Sequence, residues 1–169
     1  MKRLVNQYYQ YEQKFLTTTL NYETLIEKSE VLHYGDTEYG YQRTVNQPHL
    51  KKMVDTLKKT NEILSPTSII LGVNASDIDN CLKEVSIDLE MDFYDKNEKF
   101  WLLDLNKVQD FKFRIVDGQH RIAAFEKYLS EASPEDLKAD HLRKRYLFNV
   151  VIVVLDDNKR IKEVELFRT

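Results

Sequence analysis

Apolar residues recur along this chain at two periods, and each period assigns an element. Leu50, Met53, Val54 and Leu57 repeat at three and four residues, the spacing of one helical face, and Pro48 suits that helix's first turn. Ile122, Ala123, Phe125, Tyr128 and Leu129 make a second apolar helical face. Compact runs at 15–20, 68–73, 111–116 and 147–155 predict strands, the last so rich in Val and Ile that only a buried strand accounts for it. Val85, Ile87, Leu89, Met91 and Phe93 alternate with Ser86, Asp88, Glu90 and Asp92, which predicts a half-buried strand over 85–93. A turn at 95–98 would return it into a hairpin partner at 100–105. Asn21 is placed to cap a short helix carrying Leu25 and Ile26, and Ser133-Pro134-Glu135-Asp136 reads as another helix start with Ser133 as its cap. The class is mixed, α+β. Four glycines and three prolines leave no flexible linker and no repeat is visible, so one domain over residues 1–169 is expected.

Composition narrows the function. A net charge of -3 argues against a strongly basic nucleic-acid binder and leaves only a local basic patch. Cys81 is the single cysteine, which excludes a disulfide framework, a redox pair and a thiolate zinc site. No apolar run approaches the roughly 18 residues of a membrane span, and the polar, tyrosine-rich 7–13 stretch lacks a signal peptide's apolar core. A cytoplasmic protein with no membrane partner is expected.

The densest chemistry is Asp117-Gly118-Gln119-His120-Arg121, a polar turn between the 111–116 strand and the helix that follows. A helix beginning there leaves backbone N–H groups without intrahelical partners, and its dipole favours an anion. Gly118 allows close approach, Arg121 offers a planar charged fork for phosphate, and Gln119 and His120 add neutral donors. Asp117 could accept from a ribose hydroxyl, hold a metal-bound water or orient His120. The same residues also fit a plainer reading: Asp117 caps the helix and Arg121 bonds a carbonyl. Spacing alone leaves both open.

The segment from Phe113 through Asp117-Gly118-Gln119-His120-Arg121 to Phe125 resembles the signature of DGQHR-domain proteins, and Gly40-Tyr41-Gln42-Arg43 resembles that group's second motif. The group is related to the ParB/sulfiredoxin fold and includes the B component of the Dnd DNA phosphorothioation system. The resemblance covers roughly residues 15–169. It implies a small mixed sheet with surrounding helices and a nucleotide pocket, acting in DNA modification, phage defence or their regulation, with DNA and DNA-modification proteins as partners. It further implies ATP as ligand, with Mg2+, and a slow ATPase activity. Gly118, Gln119, His120 and Arg121, with Tyr41, Gln42 and Arg43, would bind the nucleotide and its phosphates, and Asp117 and His120 would be catalytic. The alternative is a non-catalytic DNA-binding or transcription-regulatory module. Sulfiredoxins carry a reactive cysteine where this chain has Gln119, so sulfinic-acid reduction is not expected. Family sequences continue past residues 165–169, so the chain is expected to be an N-terminal fragment or a reduced member.

Three other clusters read as surface. Asp88, Glu90 and Asp92 would line one strand face, nearly 7 Å apart by strand rise and too spread for one cation. His141, Arg143, Lys144 and Arg145 form the most concentrated positive charge and suit the cationic end of a helix, or contact with a nucleic-acid backbone. His49, Lys51 and Lys52 read as a solvated helix face. No serine triad, P-loop or zinc spacing is present.

Overall fold

The computed structural model describes residues 1–31, 45–87 and 90–156. Among these residues eight strands form one sheet: β1 (Lys2–Gln10), β2 (Gln13–Asn21), β3 (Ser29–Glu30), β4 (Ile69–Asn74), β5 (Leu82–Val85), β6 (Lys99–Asp104), β7 (Phe113–Asp117) and β8 (Leu147–Leu155). Their order is β3-β7-β4-β8-β2-β1-β6-β5. The β4–β8 and β3–β7 pairs are parallel and the others antiparallel, so the sheet is mixed. Five helices accompany it: α1 (Tyr22–Lys28), α2 (Gln47–Lys59), α3 (Ala75–Ile78), α4 (Gln119–Glu131) and α5 (Leu137–Lys144).

Alternation along the central strands splits the sheet into two faces. Leu71 of β4 stands opposite both Ile115 of β7 and Ile152 of β8, and Leu16 of β2 continues the row opposite Ile152. All four are buried in the principal core with Ile122, Phe125 and Leu129 of α4 and Leu50, Val54 and Leu57 of α2. The other face carries a smaller cluster of Phe15, Val153 and Leu155, against which Tyr8 and Ile70 pack. The run of Val and Ile in β8 follows from this placement, since its alternate residues enter the two clusters.

Both strongly periodic helices form where the pattern places them. Asn21 caps α1 by accepting from the Thr24 N–H at 2.9 Å. Strand β1 was not evident in the sequence, because its interior positions include Gln7. That side chain is buried and reconciled with the core by donating to the Asn97 carbonyl at 2.7 Å and accepting from the Trp101 indole N–H at 2.9 Å.

Two expectations are corrected. Among the described residues of the alternating 85–93 segment, no strand continues beyond Val85. Val85 pairs with Phe100 and β6 begins one residue further out, at Lys99, so beyond Ser86 the described residues run past the end of β6. Met91 and Phe93 are accordingly 47% and 40% exposed; Asp88 and Leu89 lie outside the described residues. An alternating pattern specifies a face but supplies no ladder partner. The helix start placed at Ser133 moves three residues on. Asp136 is the cap of α5, accepting from the Ala139 N–H at 3.1 Å, while the Asp136 N–H closes a turn onto the Ser133 carbonyl at 3.1 Å. Aspartate takes the cap because its carboxylate also meets the positive helix end.

Candidate functional site

Strand β7 ends at Asp117, and α4 begins at Gln119 with Gly118 as the hinge between them. Gly118 has φ +104°, a backbone state that side-chain-bearing residues rarely adopt. A Cβ there would lie 2.4 Å from Ile69 Cδ1, so the glycine also makes room for β4. Asp117 is exposed, and its Oδ1 accepts from the Gly118 N–H at 2.8 Å. Gln119 is buried.

Arg121 turns toward the segment that leads into β4. Its Nη1 donates to Ser65 Oγ at 3.0 Å, the Thr67 carbonyl at 2.6 Å and Thr67 Oγ1 at 3.0 Å; its Nη2 donates to the Ser68 carbonyl at 2.9 Å. The guanidinium thus fastens residues 65–68 to the first turn of α4. A carbonyl partner for Arg121 is the plainer of the two readings that spacing leaves open; the partners themselves lie more than fifty positions upstream, where no local pattern points to them.

His120 joins the turn to α2. Its Nε2 accepts from the Asn46 N–H at 3.3 Å, which puts the ring proton on Nδ1 and leaves an N–H donor there. The His49 ring meets the His120 ring edge-on at 5.2 Å. Asn46 caps α2 through the His49 N–H at 3.0 Å. The starts of α2 and α4 are therefore neighbours. At the other ends of these helices Lys58 and Glu131 form an ion pair at 3.1 Å, so the two run in the same direction. Their dipoles add rather than cancel, and both positive ends meet at His120. Neither helix has an acidic residue in its first turn, and no side chain caps α4. Asn46 was readable as a cap from its place before Pro48; its contact with His120 was not.

Burial lowers the His120 pKa, His49 lowers it further, and Asp117 opposes them. In the unfolded chain the group titrates near the usual ~6.5. Since the folded value lies below that, the unfolded chain takes up the proton first. Stability is therefore expected to fall as pH drops through about 6.5 and to level off below the folded pKa. Melting curves between pH 7.5 and 5 test this: His120→Gln should have a flatter profile than the wild type, and an identical profile would contradict it.

The three expected site residues Tyr41, Gln42 and Arg43 lie outside the described residues. Asp117, Gly118, Gln119, His120 and Arg121 share one turn, with Arg121 directed to residues 65–68 and His120 to α2. His141, Arg143 and Lys144 occupy the last turn of α5, the helix end at which cations are favourable. Among the described residues no group of three or more His, Cys, Asp or Glu side chains is placed to hold a metal ion. No helix among them is long and apolar enough to cross a membrane.

No solved structure matches this chain. The 26S proteasome regulatory subunit rpn8 of Schizosaccharomyces pombe is 29% identical over 90 residues, which cover 52% of this chain and 27% of that protein. The chain thus spans about a quarter of that relative's length. A family model described as DndB, DNA-sulfur modification-associated, matches residues 4–165 and so takes in both the Tyr41–Arg43 segment and the turn at Asp117–Arg121. With that match over nearly its whole length, the chain belongs to the DndB family of DNA-sulfur modification-associated proteins.

Proposed function

We propose that this chain is a ParB/sulfiredoxin-like nucleotide-binding domain of a DNA phosphorothioation system, and that it holds the phosphates of ATP where α2 and α4 begin. The observation that carries this reading is the parallel pair of helix starts meeting at His120, free of acidic residues in both first turns. Two aligned dipoles ending side by side repel each other, and an anion between them removes the repulsion. Gly118 sets the tight turn that brings the start of α4 there, its missing side chain making room for Ile69 of β4. The neutral His120 ring offers its Nδ1–H to a phosphate oxygen.

In this reading Arg121 acts first as a positioning residue, since its fork is engaged by Ser65, Thr67 and Ser68. Asp117 is the one carboxylate of the turn. Its Oδ1 is occupied by the Gly118 N–H, and its other oxygen is the candidate to orient a water or a magnesium ion carried in with the nucleotide. Family membership supports the modification-system context.

Calorimetry with ATP, CTP and GTP in the presence of magnesium tests the reading. The expected result is binding well below millimolar, weakened about tenfold, or ~1.4 kcal/mol, by His120→Ala. If hydrolysis accompanies binding, Asp117→Asn should lower turnover far more than affinity. No binding of any of the three at millimolar concentration sinks the proposal. ATP that competes with duplex DNA for the same site would instead favour the DNA-binding, regulatory alternative.

A further inference from the structure

A cavity of about 200 Å³ opens beside the turn, between α2, α4 and the segment that Arg121 fastens. Met53, Thr56 and Leu57 form one wall, Ala124 and Phe125 the second, and Ile63, Leu64 and Ser65 the third, with Arg121 at the boundary. We propose that this cavity seats a single nucleobase, that of the nucleotide whose phosphates lie at the paired helix starts. This inference rests on the nucleotide reading above and adds to it where the base goes.

Four features support a planar ring as the occupant. The volume is below the roughly 300–1,000 Å³ of clefts that enclose whole drug-sized ligands, so it suits one ring system with the sugar and phosphates outside. The walls are largely apolar, and the Phe125 ring is fixed by Tyr146 and Phe148 at centroid distances of 5.2 and 4.9 Å. Phe125 is also stacked on Tyr22 and is 3% exposed, so it closes the cavity as a rigid apolar floor against which a flat base can rest. The polar groups are few and complementary. Ser65 Oγ accepts from Arg121 and keeps its own O–H to donate; Thr56 Oγ1 donates to the Lys52 carbonyl at 3.0 Å and keeps lone pairs to accept. A base edge presents that pairing of acceptor and donor.

The spacing also fits. From His120 to Ala124 and Phe125 is one turn and a little more, roughly 6–8 Å along the axis at ~1.5 Å per residue. That is about the reach of a ribose between a base and its first phosphate. Arg121, the next residue after His120, itself borders the cavity, so the two places adjoin.

The test compares ATP with inorganic tripolyphosphate by calorimetry, on the full chain and on Thr56→Phe. Thr56 is exposed on α2, and its hydroxyl bond stays within that helix, so the variant should fold; its melting temperature checks this. The wild type is expected to bind ATP at least about tenfold more tightly than tripolyphosphate. In Thr56→Phe, with a ring over the cavity mouth, that preference should vanish. Equal binding of ATP and tripolyphosphate by the wild type overturns the base seat and leaves the phosphate site standing. A preference that survives in folded Thr56→Phe also overturns it, since the base then lies elsewhere. If neither compound binds, the nucleotide reading fails and takes the seat with it.

Discussion

Arg121→Ala is expected to lower the stability of the fold by about 2–4 kcal/mol, because it removes charge-assisted hydrogen bonds worth ~1.5–3 kcal/mol each from acceptors only partly able to rehydrate. Four such bonds run from one guanidinium to Ser65, Thr67 and Ser68. For a chain of this size the loss corresponds to a fall in melting temperature of roughly 5–15 °C. Arg121→Lys should recover less than half of it, since a single ammonium cannot span three residues with a fixed fork. Limited proteolysis should show earlier cutting in the 60–68 segment. A purely ligand-binding arginine predicts otherwise: unchanged melting without nucleotide and a defect only in its presence. The two outcomes separate cleanly.

The second large effect is expected at Gly118. Gly118→Ala combines a strained backbone state, at φ +104°, with a Cβ placed 2.4 Å from Ile69 Cδ1. Ile69 is fully buried, so its side chain cannot swing out into solvent. The strain costs about 1–2 kcal/mol and the overpacking about 1–3 kcal/mol more, so a total of about 2–5 kcal/mol is anticipated by denaturant titration. Ile69→Val removes the clashing atom at its own cost of ~0.5–1.5 kcal/mol. If the steric account holds, the double variant is more stable than the sum of the single losses allows, by about 1 kcal/mol. Strict additivity would show that the backbone angle alone requires glycine.

These two residues also mark how far the sequence could be read. The turn itself was legible, because an apolar strand, a glycine and an apolar helical face follow one another in order. What surrounds the turn was not. Ser65, Thr67 and Ser68 look like ordinary loop residues, and nothing local ties them to Arg121; the contact exists because β4 lies beside β7 in the sheet. The parallel course of α2 and α4 was likewise hidden, although each helix was legible from its own period. Local patterns determine faces, whereas partners depend on topology. The 85–93 segment shows the same limit in reverse: its alternation was as regular as any in the chain, yet the β5–β6 ladder stops at Val85 and Phe100, one residue from the start of β6 at Lys99. At β1 the signal was masked by Gln7, a polar residue in a core position whose partners, Trp101 and Asn97, come from far along the chain.

The position of β8 has a consequence for how the molecule is made. This strand stands between β4 and β2, so the centre of the sheet is the last of the described strands in chain order. During synthesis the β1–β2 hairpin, closed by a short turn, can form early. Its inner edge must then wait, with open backbone groups, until Leu147–Leu155 leaves the ribosome. Folding should therefore be slow and late, completed by insertion of one apolar strand between two waiting half-sheets. A nascent chain paused before that strand would present two sticky edges at once, the state in which a chaperone matters most.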